Sequence, residues 1–382
     1  MALCTSPVAV PKEKSSEHLR EVHDRICHFE HPEQLFGDLG PTAESQAAML
    51  SQAYKFLIKL YHPDLFSTNR QASLYADNIT KTVNALRMAA DKKIAGGTYG
   101  KPVEMEAGKA ECVITTARRE YRVLEYFREG EWCDLYLAEY DDPHDRVAPI
   151  KQVVIKTVKA AEDNHLIINE ALVHDHVTHQ SLPRLEDQFI FPEEGKKALI
   201  LKRIDGITLE EVRALYPSGI EARNMVWILE RLLSVLGYMH YHGVLHGNIH
   251  PGNIMVRARD HNAFLVDFTR SIINPGACDS FEEIHRDYTA PEVRHRTRPH
   301  PASDLFALGR SMVYLLGGDP RDEAVPDHVD SRINEFLGEF LLKNPAGRAN
   351  DAWKMYHRLS NLRKEVFGAR HEYYPFNIEA AH

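Results

Sequence analysis

Leu50, Ala53, Tyr54, Leu57 and Tyr61 recur at three- and four-residue intervals, the spacing of one face of a helix. His62-Pro63 must end that helix, because proline disfavours helical geometry in the residue before it. Tyr75, Ile79, Val83 and Leu86 then repeat the spacing. Two amphipathic helices with facing apolar stripes predict an antiparallel hairpin. Upstream, Ser15-Ser16 before Glu17 predicts the start of a short helix. Gly40-Pro41 breaks the chain ahead of Thr42, a helix-cap candidate.

The pattern changes near residue 110. ECVITT, YRVLEYF and CDLYLAEY are strand-like runs, followed by QVVIKTV, FIF and ALILKRI, with a helix predicted around 167–177. Beyond Glu210 the chain reads as mostly helical. A long helix, 225–242, has Ile228, Leu229, Leu232, Leu236 and Met239 at core spacing and is closed by Gly243. AGGTYGKPVEMEAGK is glycine-rich and lacks a stripe, so it reads as a linker. A strand-rich piece followed by a helix-rich piece predicts two lobes, α+β in class, behind a small all-α domain. The expected divisions are an extension at 1–31, a helical hairpin at 32–93, the linker at 94–109, a strand-rich lobe at 110–202, and a helical lobe with its tail at 203–382. No internal repeat or low-complexity tract interrupts them.

Composition narrows the function classes. A chain of 382 residues with 43% hydrophobic and 26% charged residues has material for a sizeable core. A net charge of -9 argues against nucleic acid as a partner. Cys4, Cys27, Cys112, Cys133 and Cys278 show no CxxC spacing and suggest no disulfide framework, so a reducing cytoplasm is expected. The first 21 residues hold no apolar run of signal-peptide length. The most apolar stretch, 225–239, carries Glu230 and Arg231 and is too short to span a bilayer, so no membrane partner is expected. The 22 histidines are mostly scattered and read as surface or loop residues. His240, His242, His246 and His250 straddle a helix end and a loop, a poor arrangement for zinc.

AYKFLIKLYHPD, residues 53–64, resembles the second helix and loop of a J-domain, and LFGDLG resembles that family's short first helix. The resemblance covers about 32–93. It implies that His62, Pro63 and Asp64 engage a seventy-kilodalton heat-shock chaperone and stimulate its ATPase. The sequence departs from the family in two ways. Lys55 and Lys59 are the only basic residues along the helix, and Leu65-Phe66 follows where a lysine is usual. A hairpin kept only as a docking element is the alternative.

From about 110 to 362 the chain resembles the eukaryotic-type protein kinase catalytic domain, with the motifs in that family's order. YFREGEWCDLYLAEY stands at the glycine-rich loop, where only Gly130 survives and Arg128 and Cys133 replace the outer glycines. The resemblance implies that Lys156 of VVIK holds phosphates and pairs with Glu170. It places Leu201 at the back of an adenine pocket and the 202–204 backbone, Arg203 included, at the adenine edge. Asn253 and Asp267 take the metal-binding positions, for ATP and Mg²⁺ as cofactors. Ala290-Pro291-Glu292 closes the activation segment, Asp304 is an anchor, and Glu292 would pair with Arg348 to brace the helical lobe.

The stretch VLHGNIHPGNIMV, 244–256, departs from the pattern at its centre. Asn248 stands where the family has its aspartate base, and an amide is not basic. His250 replaces a lysine that steadies phosphate, and Gly247 replaces the arginine that reads a phosphorylated activation segment. Thr269 replaces the glycine of Asp-Phe-Gly. These losses imply a J-linked pseudokinase, a binding switch or scaffold with its own protein partner. The rivals are a weakly active serine/threonine kinase, and a co-chaperone in which nucleotide is irrelevant.

Overall fold

The computed structural model describes residues 16–26, 29, 31–66, 69–101, 112–277, 285–295, 300–321, 325–368, 376 and 378. Ser15, the 102–109 part of the linker and most of the C-terminal tail lie outside the described residues. The chain divides into two compact units, Met1–Glu125 with Leu137–Val153, and Tyr126–Tyr136 with Val154–His382. The division therefore cuts through strands.

In the first unit, α1 (Ser16–Ile26), α2 (Pro32–Phe36), α3 (Ala43–Tyr61) and α4 (Arg70–Ala95) precede the strands. Thr42 caps α3 by accepting the Ser45 N–H at 3.2 Å. α3 stops at His62, whose backbone is extended, as Pro63 requires. α4 is the spine: Tyr75, Ile79, Val83 and Leu86 are all buried, with Ala72, Ala76, Ala90 and Ile94 beside them. The stripe on α3 behaves differently from the expectation. Only Leu50 is fully buried, and Ala53, Tyr54, Leu57 and Tyr61 are half-buried. Leu19 and Ile26 of α1 and Leu35 and Phe36 of α2 fill the core instead, packing with α4. Leu19 and Ile26 thus make α1 part of this core.

The first part of the linker is also fastened down. Tyr99 donates its hydroxyl to Gly37 O at 2.9 Å, and Gly100 N–H donates to Glu33 Oε1 at 3.0 Å. The unit closes with β1 (Cys112–Thr115), paired antiparallel with the start of β2 (Glu120–Glu129), and with parts of β3 (Cys133–Asp141) and β4 (Ile150–Val158).

In the second unit the remaining parts of β2, β3 and β4 continue into a sheet. α5 (Asn164–His176) separates β4 from β5 (Leu185–Ile190) and β6 (Lys197–Lys202), and the strand order is β2-β3-β4-β6-β5. The helical part starts with β7 (Ile207–Thr208) and α6 (Leu209–Leu215), which opens on a Thr208/Glu211 capping box. α7 (Ala222–Tyr241) is buried along most of its length, and Gly243 follows at φ +69°, the left-handed turn that ends a helix. Three short strand pairs then shape the loops. β8 (Val244–Leu245) pairs with β11 (Ile272–Ile273), and β9 (Ile254–Arg257) pairs with both β10 (Asn262–Leu265) and β7. These two- to four-residue strands are the exception to a mostly helical reading after Glu210. α8 (Pro291–Arg294), α9 (Pro301–Leu315), α10 (Ser331–Leu341) and α11 (Ala352–Phe367) complete the unit. Among the described residues, no helix is long and apolar enough to cross a membrane.

Candidate nucleotide site

Lys156, near the end of β4, is the centre of the site. Its Nζ lies 2.6 Å from Glu170 Oε2 on α5 and 2.7 Å from Asp267 Oδ1. Lys156 is 6% and Glu170 0% exposed, so the Glu170 charge could not remain without Lys156. Burial by itself would lower the Lys156 ammonium, but Asp267 and Glu170 outweigh it and hold the group well above the ordinary lysine range. Burial likewise raises Glu170, only partly offset by Lys156. Asp267 moves the other way: Lys156 and the Thr269 hydroxyl overcome its burial and keep it well below the carboxylate range. It is therefore an anion at any physiological pH.

Asp267 has φ +66°, a left-handed conformation that few side chains other than Asn and Asp tolerate. Thr269 stabilises the turn. Its hydroxyl donates to Asp267 Oδ1 at 2.7 Å and its N–H donates to the same oxygen at 3.3 Å. Oδ1 is thereby shared between Lys156 and Thr269. Phe268, fully buried, packs edge-on against His174 and tilted against His246, with ring centroids 5.3 and 5.0 Å away.

The loop between β8 and β9 is organised by Asp304 of α9. Its two carboxylate oxygens accept the N–H groups of His246 and Gly247, each at 2.9 Å, and Oδ2 also meets His240 Nε2 at 2.9 Å. Gly247 has φ +75°, so the residue in the arginine position sits where side chains are strained. Asn253 Nδ2 donates to Asn248 O at 3.0 Å, which leaves Asn253 Oδ1 as the oxygen that can face a cation. Asn248 itself is largely buried and lines a cleft together with Gly247, Ile249, His285 and Tyr288. His250 accepts the Gly252 N–H on Nδ1 at 3.2 Å, and its ring centroid lies 3.9 Å from that of His285. Burial, reinforced by His285, pushes its pKa down to about 3. His250 is thus neutral and offers no cation to a phosphate.

At the β2–β3 turn, Gly130 donates its N–H to Cys133 O at 2.9 Å. A Cβ at residue 130 would stand 2.6 Å from that carbonyl, so the turn itself requires glycine. Arg128 points to an exposed ion pair with Glu211 at 2.9 Å. Cys133 is buried with Val158, Ile167, Ala171, Leu199 and Leu201, and burial pushes its thiol up to about 12. It is a packing group, not a nucleophile. Leu201 is buried in that cluster, and Arg203 follows β6 half-buried. Farther off, Arg348 holds Glu292 with contacts of 2.6 and 3.0 Å.

In the first unit, His62, Pro63 and Asp64 sit where α3 gives way to a 3-10 turn, Pro63–Phe66. The His62 and Asp64 side chains are 46% and 88% exposed and approach to 3.4 Å. Phe66 is buried and Leu65 is exposed.

Residue spacing alone did not single out Asn169, His174 or the Thr269 hydroxyl. A polar residue inside the apolar run LIINEALV was the only signal for Asn169. Asp267 and Asn253 form a set of hard oxygen donors, which suits Mg²⁺ completed by phosphate oxygens.

The protein kinase domain family matches residues 121–361, more than half of the chain. Serine/threonine-protein kinase D of Synechocystis sp. is 26% identical over 274 residues, covering 63% of this chain and 52% of that protein. Serine/threonine-protein kinase C of the same organism is 26% identical over 235 residues, 57% of this chain and 42% of its own length. Serine/threonine-protein kinase PknA of Nostoc sp. is 27% identical over 217 residues, 53% of this chain and 38% of its own. The chain therefore spans about half or less of these relatives. With the two-lobed α+β architecture and a helical region ahead of it, the chain belongs to the protein kinase domain family.

Proposed function

We propose that the kinase domain binds ATP with Mg²⁺ and serves as a nucleotide-dependent switch or scaffold, with little phosphoryl transfer. One observation carries this reading. The Lys156–Glu170–Asp267 set is assembled within 2.7 Å contacts, while the position of the base holds the amide of Asn248. Lys156 would hold phosphates, and Asp267 and Asn253 would hold the metal. Bound Mg²⁺ would neutralise phosphate charge. The chain's own residues then supply position and charge but no proton acceptor. A missing general base removes about a hundred- to ten-thousandfold in rate. Neutral His250 and the single glycine of the β2–β3 turn add to that loss.

The second reading, weak serine/threonine transfer, is favoured by the relatives' names. Radiolabel transfer from ATP to a generic protein substrate separates the two. The switch reading expects wild type to be no faster than Asp267→Ala. Transfer that disappears only in Asp267→Ala favours the weak kinase.

We propose further that the helical region acts as a J-like module toward a seventy-kilodalton heat-shock chaperone. Exposed His62 and Asp64 on a stiff proline turn support this reading. Stimulation of such a chaperone's ATPase is expected from the wild type and lost in His62→Gln. Equal stimulation by both would reduce the hairpin to a docking element.

A further inference from the structure

α5 has apolar residues on every side. Leu166, Ile167, Ala171 and Val173 are buried, while Ile168 and Leu172 are exposed. A helix with no polar face has no amphipathic preference for one rotation about its axis. Yet Glu170 reaches Lys156 only in one rotation. Packing of Ile167 and Ala171 and the end contacts of Asn164 and His176 hold the helix in place, and a contact beside Glu170 fixes its rotation toward Lys156.

Asn169, the neighbour of Glu170, does so by geometry. Its Nδ2 lies 2.8 Å from Ser271 O, 3.1 Å from Thr269 O and 3.4 Å from Phe268 O. The amide has two hydrogens, so the two shorter contacts are the strong ones. All three carbonyls belong to the turn directly after Asp267. That turn is tied on its other side to the loop carrying Asn248. Ser271 Oγ donates to His246 O at 3.0 Å, and His246 Nε2 meets Val266 O at 3.2 Å. α5, the 266–271 turn and the loop are thus laced by side-chain-to-backbone bonds. The lacing is made by the side chains of Asn169, Ser271 and His246 acting on backbone carbonyls.

We infer that Asn169 is the positioning residue that sets the rotation of α5. It assembles Lys156, Glu170 and Asp267 without phosphate on the activation segment. This rests on the reading of that set as a nucleotide site. Asn169 touches neither nucleotide nor metal in this role; it acts through Glu170.

The test uses the full-length chain, free of nucleotide, and hydrogen exchange of the α5 amides read by mass spectrometry. MgATP affinity is measured in parallel by equilibrium dialysis. Asn169→Leu removes the donor, and Asn169→Asp sets a carboxylate against three carbonyls. Both are expected to speed α5 exchange about tenfold, the effect of losing one or two hydrogen bonds. MgATP should bind about tenfold more weakly, and Asn169→Gln, which keeps an amide donor, should recover part of both. Phosphatase treatment of the wild type should change nothing. Unchanged α5 exchange in the Leu and Asp variants overturns the inference, as does loosening of α5 by phosphatase alone. If Asn169→Leu fails to fold, Asn169→Ser is read in the same way. Should wild type bind no MgATP, the nucleotide reading fails, while the exchange data still decide the role of Asn169.

Discussion

Asn248→Asp is expected to raise phosphoryl transfer about a hundredfold over the wild type, the lower end of what a general base supplies. Aspartate and asparagine are nearly isosteric. The loop around residue 248 is held by backbone atoms and by Asp304, so the exchange needs no rebuilding. Asn248 N–H donates to His246 Nδ1 at 3.3 Å and Asn248 O accepts from Asn253. Neither bond uses the side chain that changes. The gain stays at the lower end because His250 remains neutral and the β2–β3 turn keeps one glycine. The restored transfer must vanish when Asp267→Ala is added. No rise at all would locate the damage beyond the base. A wild type already as fast as the variant would remove Asn248 from the explanation.

Arg348→Ala is expected to lower unfolding stability by about 3–5 kcal/mol, because it leaves a buried carboxylate without its partner. For a domain of this size that is roughly 6–20 °C in melting temperature. Arg348 does more than pair with Glu292. It also donates to Ala302 O, Leu342 O and Lys343 O, and its guanidinium stacks 4.6 Å from the Phe306 ring. Ser303, which also donates to Glu292 at 2.8 Å, cannot replace a charge. The pH dependence gives a second check. Burial raises the Glu292 carboxyl, but the bonds from Arg348 and Ser303 outweigh it and hold the group below its ordinary value. A depressed carboxylate contributes stability above its unfolded pKa of about 4.3 and loses it as pH falls through the folded value. The wild type should therefore lose this contribution below about pH 4, and Arg348→Ala should lose that part of the acid slope. Calorimetry across pH 3–7 reads both effects. A melting temperature within 2 °C of wild type would contradict the buried-pair reading.

Much of this architecture was legible in periodicity and spacing. α4 and α7 carry apolar residues at helical intervals, and those residues are the ones buried. The kinase-like architecture came from the resemblance of the motifs around Lys156, Asn253, Asp267 and Arg348 to that family, in its order, and not from periodicity. Other features left no such mark. A stripe reports which face of a helix is apolar, not how deeply its partner covers it, so α3 looked like core and is half-buried. The packing of α1 with α4 depends on residues about sixty positions apart. β7, β8 and β11 have two residues each, too few for a period of two to show. Asn169 acts through backbone carbonyls about a hundred positions away in the chain, brought near only by folding. Asp304 was legible as an anchor, but its hold on two successive N–H groups was not.

Nucleotide binding is tested most directly by the melting temperature of the full-length chain with and without millimolar ATP and Mg²⁺. A ligand that binds only the folded state must raise its stability, by about 2.7 kcal/mol at one hundred times its dissociation constant. The expected result is a rise in melting temperature that requires both ATP and Mg²⁺ and is abolished in Lys156→Ala. No shift at millimolar ATP, or an equal shift in Lys156→Ala, would contradict it.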